Sequence, residues 1–265
     1  MQFSLTDLQK EIQENAKKLL SERVDLLDLI KKIDDNTRID NELWKLVSEQ
    51  GWLGLDITEE DGGLGFSKVD SSILSEVFGY YIPIVPLFSS GVVFKQLLLH
   101  SPPELKSKIL PEIISGKKIG TFCIYENDKY EINDQNITTV LSKNDKGYVL
   151  NGKKSYVMFG DSSDYFAILA KSDKGFKFVM VDRDTPGITV TETTSLDQTR
   201  PMAEIKLEEA EVSEENFMFD LEDDKNTWNK VKHLSLSFLS MEQVGGAQAC
   251  LDMSTKYAKE RIQFG

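Results

Sequence analysis

The sequence predicts an α+β chain of three parts. A helical N-terminal domain covers residues 1–117, a central antiparallel β domain covers 118–222, and one long helix occupies 223–265. Three observations set this division. Apolar residues recur at three- and four-residue steps in the first part, give way to short β-branched and aromatic runs after Ile119, and return to helical spacing after the acidic segment 222–226.

Within the first part, Leu5, Leu8, Ile12, Ala16 and Leu19 fall on one face of a first helix. A second helix is expected over 42–50, stopped by Gly51, a residue that readily takes the left-handed conformation of a helix end. Gly62, Gly63 and Gly65 then make a tight loop ahead of a helical stretch at 69–78. In the middle part, strands are expected at 119–124, 138–143, 148–150, 156–158, 165–171, 177–181, 188–191 and 202–207. Asn151-Gly152 between two of these runs reads as a hairpin, because both central residues of a type I′ turn need positive φ. In the last part, Trp228, Val231, Leu234, Phe238, Met241, Val244, Gln248, Leu251, Thr255 and Ala258 hold helical spacing over about eight turns. A helix of that length ordinarily packs in a bundle, and no second long helix follows it, so the chain is expected to be cut short within its last domain.

With 265 residues and 40% hydrophobic content, the chain is able to bury a substantial core. A formal charge of −13 sets it against nucleic acid, whose recognition needs a basic stripe, whereas a local cluster of cations or backbone N–H groups still suits a small anionic ligand. Cys123 and Cys250 have no metal or disulfide spacing, and His100 and His233 belong to no metal-spaced cluster. No leader and no apolar run of membrane-spanning length is visible, so a soluble cytoplasmic protein in a reducing compartment is expected.

Several motifs fall in one order. These are the EEDGGLGFS loop at 59–67, the LPEIISGKKIG stretch at 110–120, TFCIYEN at 121–127, NGKKSYVMFG at 151–160, DRDTPGI at 182–188, LDQTRPMAEI at 196–205, EQVGGAQ at 242–248 and the ending YAKERIQFG at 257–265. Together they resemble the acyl-CoA dehydrogenase family, with the match most specific at the end of the chain. The resemblance implies the family's N-terminal helical domain, a central β-barrel domain and the opening helix of a C-terminal helical bundle.

It also implies FAD. The segment 121–127 is similar to the family strand that holds the flavin ring, which places Phe122, Ile124 and Tyr125 at the cofactor. Tyr125 stands where Thr is usual, Asn127 where Pro is usual, and 128–131 lacks the G-S-D turn that grips the pyrophosphate and the CoA side. Tyr156 falls at the aromatic that packs on the isoalloxazine, and Met158 replaces the Thr that orients its reactive side. Arg261 and Gln263 match the family residues that reach FAD bound mostly by a neighbouring subunit, and a guanidinium fork suits a pyrophosphate. Arg200 reads as a structural partner for a carboxylate.

The implied function is FAD-dependent α,β-dehydrogenation of an acyl-CoA in an oligomer, with electrons passed to an electron-transfer flavoprotein. No catalytic base is assigned: Glu242 lies beside the packing stripe without a partner visible in the sequence, and the family's usual base lies beyond residue 265. A chain lacking that base is expected to be inactive by itself. Two other readings stay open. One is a non-catalytic partner subunit of a heteromeric dehydrogenase that contributes Arg261 to a neighbour's flavin; the other is a flavin oxidase or monooxygenase on the same fold.

Overall fold

The computed structural model describes residues 4–127, 131–145, 147–221 and 225–264. Its N-terminal part is built from α1 (Asp7–Arg23), α2 (Leu26–Asp34), α3 (Asn41–Glu49), α4 (Lys68–Tyr81), a π-helical segment (Leu87–Phe94), α5 (Lys95–Leu99) and α6 (Pro103–Ile114). Caps set the helix starts. Thr6 and Gln9 form a reciprocal capping box at α1, Ser67 and Asp70 form another at α4, and Asp25 and Asp40 accept from the first free N–H groups of α2 and α3. Helix α1 buries Ile12, Ala16 and Leu20, while Leu8 faces solvent, so the buried stripe is rotated slightly from the expected one. The sequence reading did not single out α2, although Leu26, Leu29, Ile30 and Ile33 keep helical spacing; Leu26, Leu27 and Ile30 are exposed.

The middle part holds eight strands: β1 (Gly120–Cys123), β2 (Val140–Asn144), β3 (Gly147–Met158), β4 (Tyr165–Ser172), β5 (Gly175–Asp182), β6 (Ile188–Thr193), β7 (Met202–Val212) and β8 (Phe217–Asp220). Their order is β6-β7-β3-β2-β4-β5-β8, with β1 added beside β4. The sheet is mixed and not purely antiparallel as expected. Strand β1 runs parallel to β4 from Gly120 opposite Tyr165 to Cys123 opposite Ile168, and β2 meets the same edge of β4 in parallel at Val140 opposite Lys171.

Asn151-Gly152 is also not a hairpin. Both residues lie inside β3, where the pairing with β7 shifts between Leu150 and Gly152. Gly152 has a φ of 151°, and a Cβ there would stand 2.5 Å from the Thr139 hydroxyl, so this glycine serves a bulge and a close approach.

Strand β4 explains how the parts join. Tyr165, Ala167 and Leu169 pack with Phe94, Leu97, Ile109 and Ile113 of the helices, whereas Phe166, Ile168 and Ala170 pack with Leu150, Val157, Val179 and Ile205 within the sheet. A strand covered on both faces reads as a continuous apolar run, as YFAILA does.

Helix α7 (Lys225–Glu260) crosses α4 at glycines. A Cβ on Gly245 would overlap the Glu76 carbonyl oxygen, and one on Gly79 would overlap the Glu242 carbonyl oxygen. The small residues of EQVGGAQ thus let two backbones touch. The first half of α7 buries Val231, Ser235 and Phe238, and every residue from Leu251 to Phe264 is exposed.

Candidate functional site

Between the sheet and the first turns of α7 lies a cavity of about 880 Å³. Helical spacing puts Trp228, Val231, Lys232, Ser235 and Leu239 of α7 on its wall, because residues three and four apart share a face. Phe122, Ile124 and Tyr125 face it from β1 and the residues just after, Met158 from the end of β3, and Phe88 and Val93 from the π-helical segment. Phe88 and Phe122 meet edge to face at 6.4 Å and 83°. Glu131, Asn133, Asn229 and Lys232 supply polar groups.

The segment after β1 and the end of β3 are fastened together. The Ser155 N–H donates to the Tyr125 carbonyl at 2.9 Å, and the Thr121 hydroxyl donates to the Met158 carbonyl at 2.7 Å. Between these bonds the β3–β7 pairing shifts from Lys154 to Val157, and Tyr156 and Phe159 take φ of 56° and 53°. Bulky side chains in the left-handed region each cost about 1–3 kcal/mol, so the surrounding structure holds Met158 between two strained neighbours.

A buried ion pair provides that hold. Lys154 and Glu126 side chains are 0% and 1% exposed and 2.6 Å apart. The Lys154 ammonium also donates to the Ile124 carbonyl at 3.3 Å, while Glu126 accepts from the Thr138 N–H and hydroxyl and from the Thr139 N–H at 2.6–3.0 Å. Burial pushes the Glu126 carboxyl up, but Lys154 and the hydrogen bonds outweigh it and hold the group below its ordinary range. Burial pushes the adjacent Cys123 thiol well up, which leaves it unreactive.

The structure therefore brings Phe122, Ile124, Tyr125 and Met158 onto one wall. Tyr156 does not line this cavity and is half exposed at the bulge beside it. Arg261 and Gln263 lie past the far end of α7, 22 residues and more beyond Leu239, or roughly 30 Å at 1.5 Å per residue. There Arg261 sits 5.6 Å over the Tyr257 ring, and the Gln263 amide, turned to face it, accepts from the guanidinium. The departure at 128–130 lies outside the described residues.

Sequence reasoning missed Trp228, Ser235 and Phe88 as wall residues. Trp228 was visible in the helical spacing but was read only as packing, Ser235 is a polar residue outside that apolar stripe, and Phe88 sits in a π-helical segment, whose wider turn breaks the usual period. Glu242, whose partner was not visible in the sequence, is ion-paired with Arg200, which also lies 3.4 Å from Asp197. Burial pushes the Glu242 carboxyl up, Asp197 adds to this, and Arg200 only partly offsets them.

Among the described residues no cluster of ligating side chains suits a metal, and no helix is long and apolar enough to cross a membrane.

The family model for the acyl-CoA dehydrogenase N-terminal domain matches residues 6–117, and that for the middle domain matches 122–210. Isovaleryl-CoA dehydrogenase, mitochondrial, of Oryza sativa subsp. japonica is 28% identical over 272 residues, covering 98% of this chain and 66% of the relative. A probable acyl-CoA dehydrogenase of Bacillus subtilis is 28% identical over 251 residues, covering 89% of this chain and 42% of the relative. The chain thus spans less than two thirds of the length of these curated relatives. Butyryl-CoA dehydrogenase from Megasphaera elsdenii superposes with a TM-score of 0.90 at 22% identity, over 100% of this chain and 72% of that one. With two family models in register across both its helical and β parts, and the same fold in solved members, the chain belongs to the acyl-CoA dehydrogenase family.

Proposed function

We propose that this chain forms the flavin- and thioester-facing part of an FAD-dependent acyl-CoA dehydrogenase, which introduces an α,β double bond into an acyl-CoA and passes the electrons to an electron-transfer flavoprotein. The observation that supports it most is the cavity of about 880 Å³ with Phe122, Ile124, Tyr125 and Met158 on one wall and α7 on the other, in a chain of this family.

The residues present fit FAD in two separate places. The apolar edge made by Phe122, Ile124, Tyr125 and Met158, with Tyr156 beside it, suits a flat ring system. The exposed Arg261 has no carboxylate partner among the described residues, and its fork suits a pyrophosphate. These places are too far apart for one cofactor, so Arg261 and Gln263 serve the flavin of a second subunit, and the working protein is an oligomer.

When bound, FAD supplies the acceptance of hydride from the substrate β-carbon. The chain's own part is binding and orientation. The walls exclude water and hold the acyl group flat, while Lys232 offers a cation to the anionic CoA moiety. No residue is assigned as the base, since Glu131 is the only carboxylate lining the cavity among the described residues and Glu242 is committed to Arg200. That commitment favours a second reading, a partner subunit without chemistry of its own.

Anaerobic titration of the purified protein with acyl-CoA, followed in the visible spectrum, tests the proposal. A yellow preparation that bleaches supports the dehydrogenase, and a colourless one supports the partner subunit. Bleached flavin that regains its colour with O₂ as readily as with an electron-transfer flavoprotein would replace the dehydrogenase by an oxidase.

A further inference from the structure

Phe88 and Met158 each line two cavities. On one side is the large space described above, and on the other a partly open chamber of about 30 Å³ bounded by α4, the π-helical segment, the end of β3, the β6–β7 connection and α7. Its walls include Phe78, Leu87 and Phe159, and its polar end is the Arg200–Glu242 ion pair. The two side chains are 24% and 16% exposed, so both have lost most of their water.

We propose that this chamber is the distal end of the acyl site, and that Arg200 and Glu242 select acyl groups carrying a neutral hydroxyl at their far end. The inference rests on the acyl-CoA reading above and adds a substrate class to it. Three observations support the choice. The first is size: a water molecule needs roughly 10–15 Å³ of such space, so the chamber admits one or two small polar atoms beyond Phe88 and Met158 and no further run of methylenes.

The second is hydrogen bonding. A carboxylate accepts at several lone-pair positions and a guanidinium carries five N–H donors, so the pair leaves capacity on both members. A hydroxyl donates to Glu242 and accepts from Arg200 at once, whereas a methyl end leaves both groups dry and under-bonded.

The third is charge. The chamber end carries the Arg200 cation against the Glu242 carboxylate, and Arg200 also lies 3.4 Å from Asp197, which is half exposed outside the lining. A dicarboxylic thioester would bring a further negative group and be repelled. Burial pushes the Glu242 carboxyl up, in keeping with a site short of positive charge and of water. Phe88 and Met158 form the boundary that the chamber shares with the larger cavity.

The test is calorimetric titration of the purified protein with three series of CoA thioesters, from butanoyl to octanoyl length: unsubstituted, ω-hydroxy and ω-carboxy. At one chain length the ω-hydroxy thioester is expected to bind about tenfold more tightly than its unsubstituted counterpart. The ω-carboxy series is expected to bind most weakly. The E242A variant is expected to lose the hydroxyl preference. Equal binding by the hydroxy and unsubstituted series, or tightest binding by the ω-carboxy series, overturns this inference and leaves the acyl-CoA reading intact. Binding by none of the three removes both. The wild-type series decides the matter even if E242A fails to fold.

Discussion

Replacing Lys154 by Met tests how the end of β3 is held against the segment after β1. Lys154 is fully buried, its ammonium 2.6 Å from Glu126 and within reach of the Ile124 carbonyl. Methionine fills a similar volume but leaves Glu126 as a buried carboxylate with hydrogen bonds from Thr138 and Thr139 and no cation. Removing one member of a buried pair costs about 3–5 kcal/mol, which is a large share of the roughly 5–15 kcal/mol that stabilises a typical domain. At about 2–4 °C per kcal/mol for a chain of this size, the melting temperature is expected to fall by roughly 6–20 °C.

Urea denaturation followed by far-ultraviolet circular dichroism measures the loss directly. The double variant K154M/E126Q removes both charges and is expected to recover part of it, giving a favourable coupling energy in the double-mutant cycle. A K154M loss below about 1 kcal/mol, the range of an exposed pair, would refute the argument that this ion pair holds the end of β3 against the segment after β1.

Other outcomes follow from the same geometry. Gly245→Ala places a methyl group on the Glu76 carbonyl oxygen where α4 and α7 touch, so it is expected to cost about 1–3 kcal/mol and to lower the urea midpoint; an unchanged midpoint would show that the helices do not cross this closely. Asp56 and Glu126 are both held below their ordinary values of 3.8 and 4.5, by Lys95 and Lys68 in one case and by Lys154 in the other, against the opposing push of burial. Folded-state carboxyls lowered in this way add stability that is complete above those values and is lost as pH falls through the folded-state range. The urea midpoint is therefore expected to change little from these groups between about pH 7 and pH 5.5, and to drop below about pH 4.5; a midpoint that holds down to about pH 3 would contradict the assignment. Arg261→Ala is expected to weaken flavin retention by about tenfold, measured by ultrafiltration and flavin absorbance, with Arg261→Lys recovering only part because an ammonium lacks the planar fork. Full retention in R261A would remove the residue from the cofactor site.

The periodicity of α7 was legible from Trp228 onward because its apolar residues keep a single face over many turns, whereas the close contact at Gly245 emerges only with α4 in place. Strands β1 to β7 were legible as short runs rich in β-branched and aromatic residues, but 148–150 and 156–158 were read apart where β3 is continuous, and β8 was not read. Their pairing was not legible, since whether β1 and β2 run parallel or antiparallel to β4 depends on contacts distant in sequence. Asn151-Gly152 misled for a related reason: a dipeptide that favours a turn also serves a bulge when Thr139 approaches closely.

At the site, motif positions singled out Phe122, Ile124, Tyr125 and Met158, which share one wall, and Tyr156, which does not line it, but nothing local in the sequence joins Arg200 to Glu242 across forty-two residues. The same holds for Lys154 and Glu126, which are twenty-eight apart and meet only because the bulge of β3 folds over the end of β1. Phe88 escaped because a π-helical turn does not follow the helical period.

A crystal structure of the protein with FAD and an acyl-CoA bound would test the central claim most directly. The account predicts the flavin ring against Tyr125 and Met158, the thioester between that edge and the Trp228-to-Leu239 face of α7, and Arg261 on the pyrophosphate held by another subunit. A thioester outside the space between the sheet and α7, or a ring that contacts neither Tyr125 nor Met158, would contradict it.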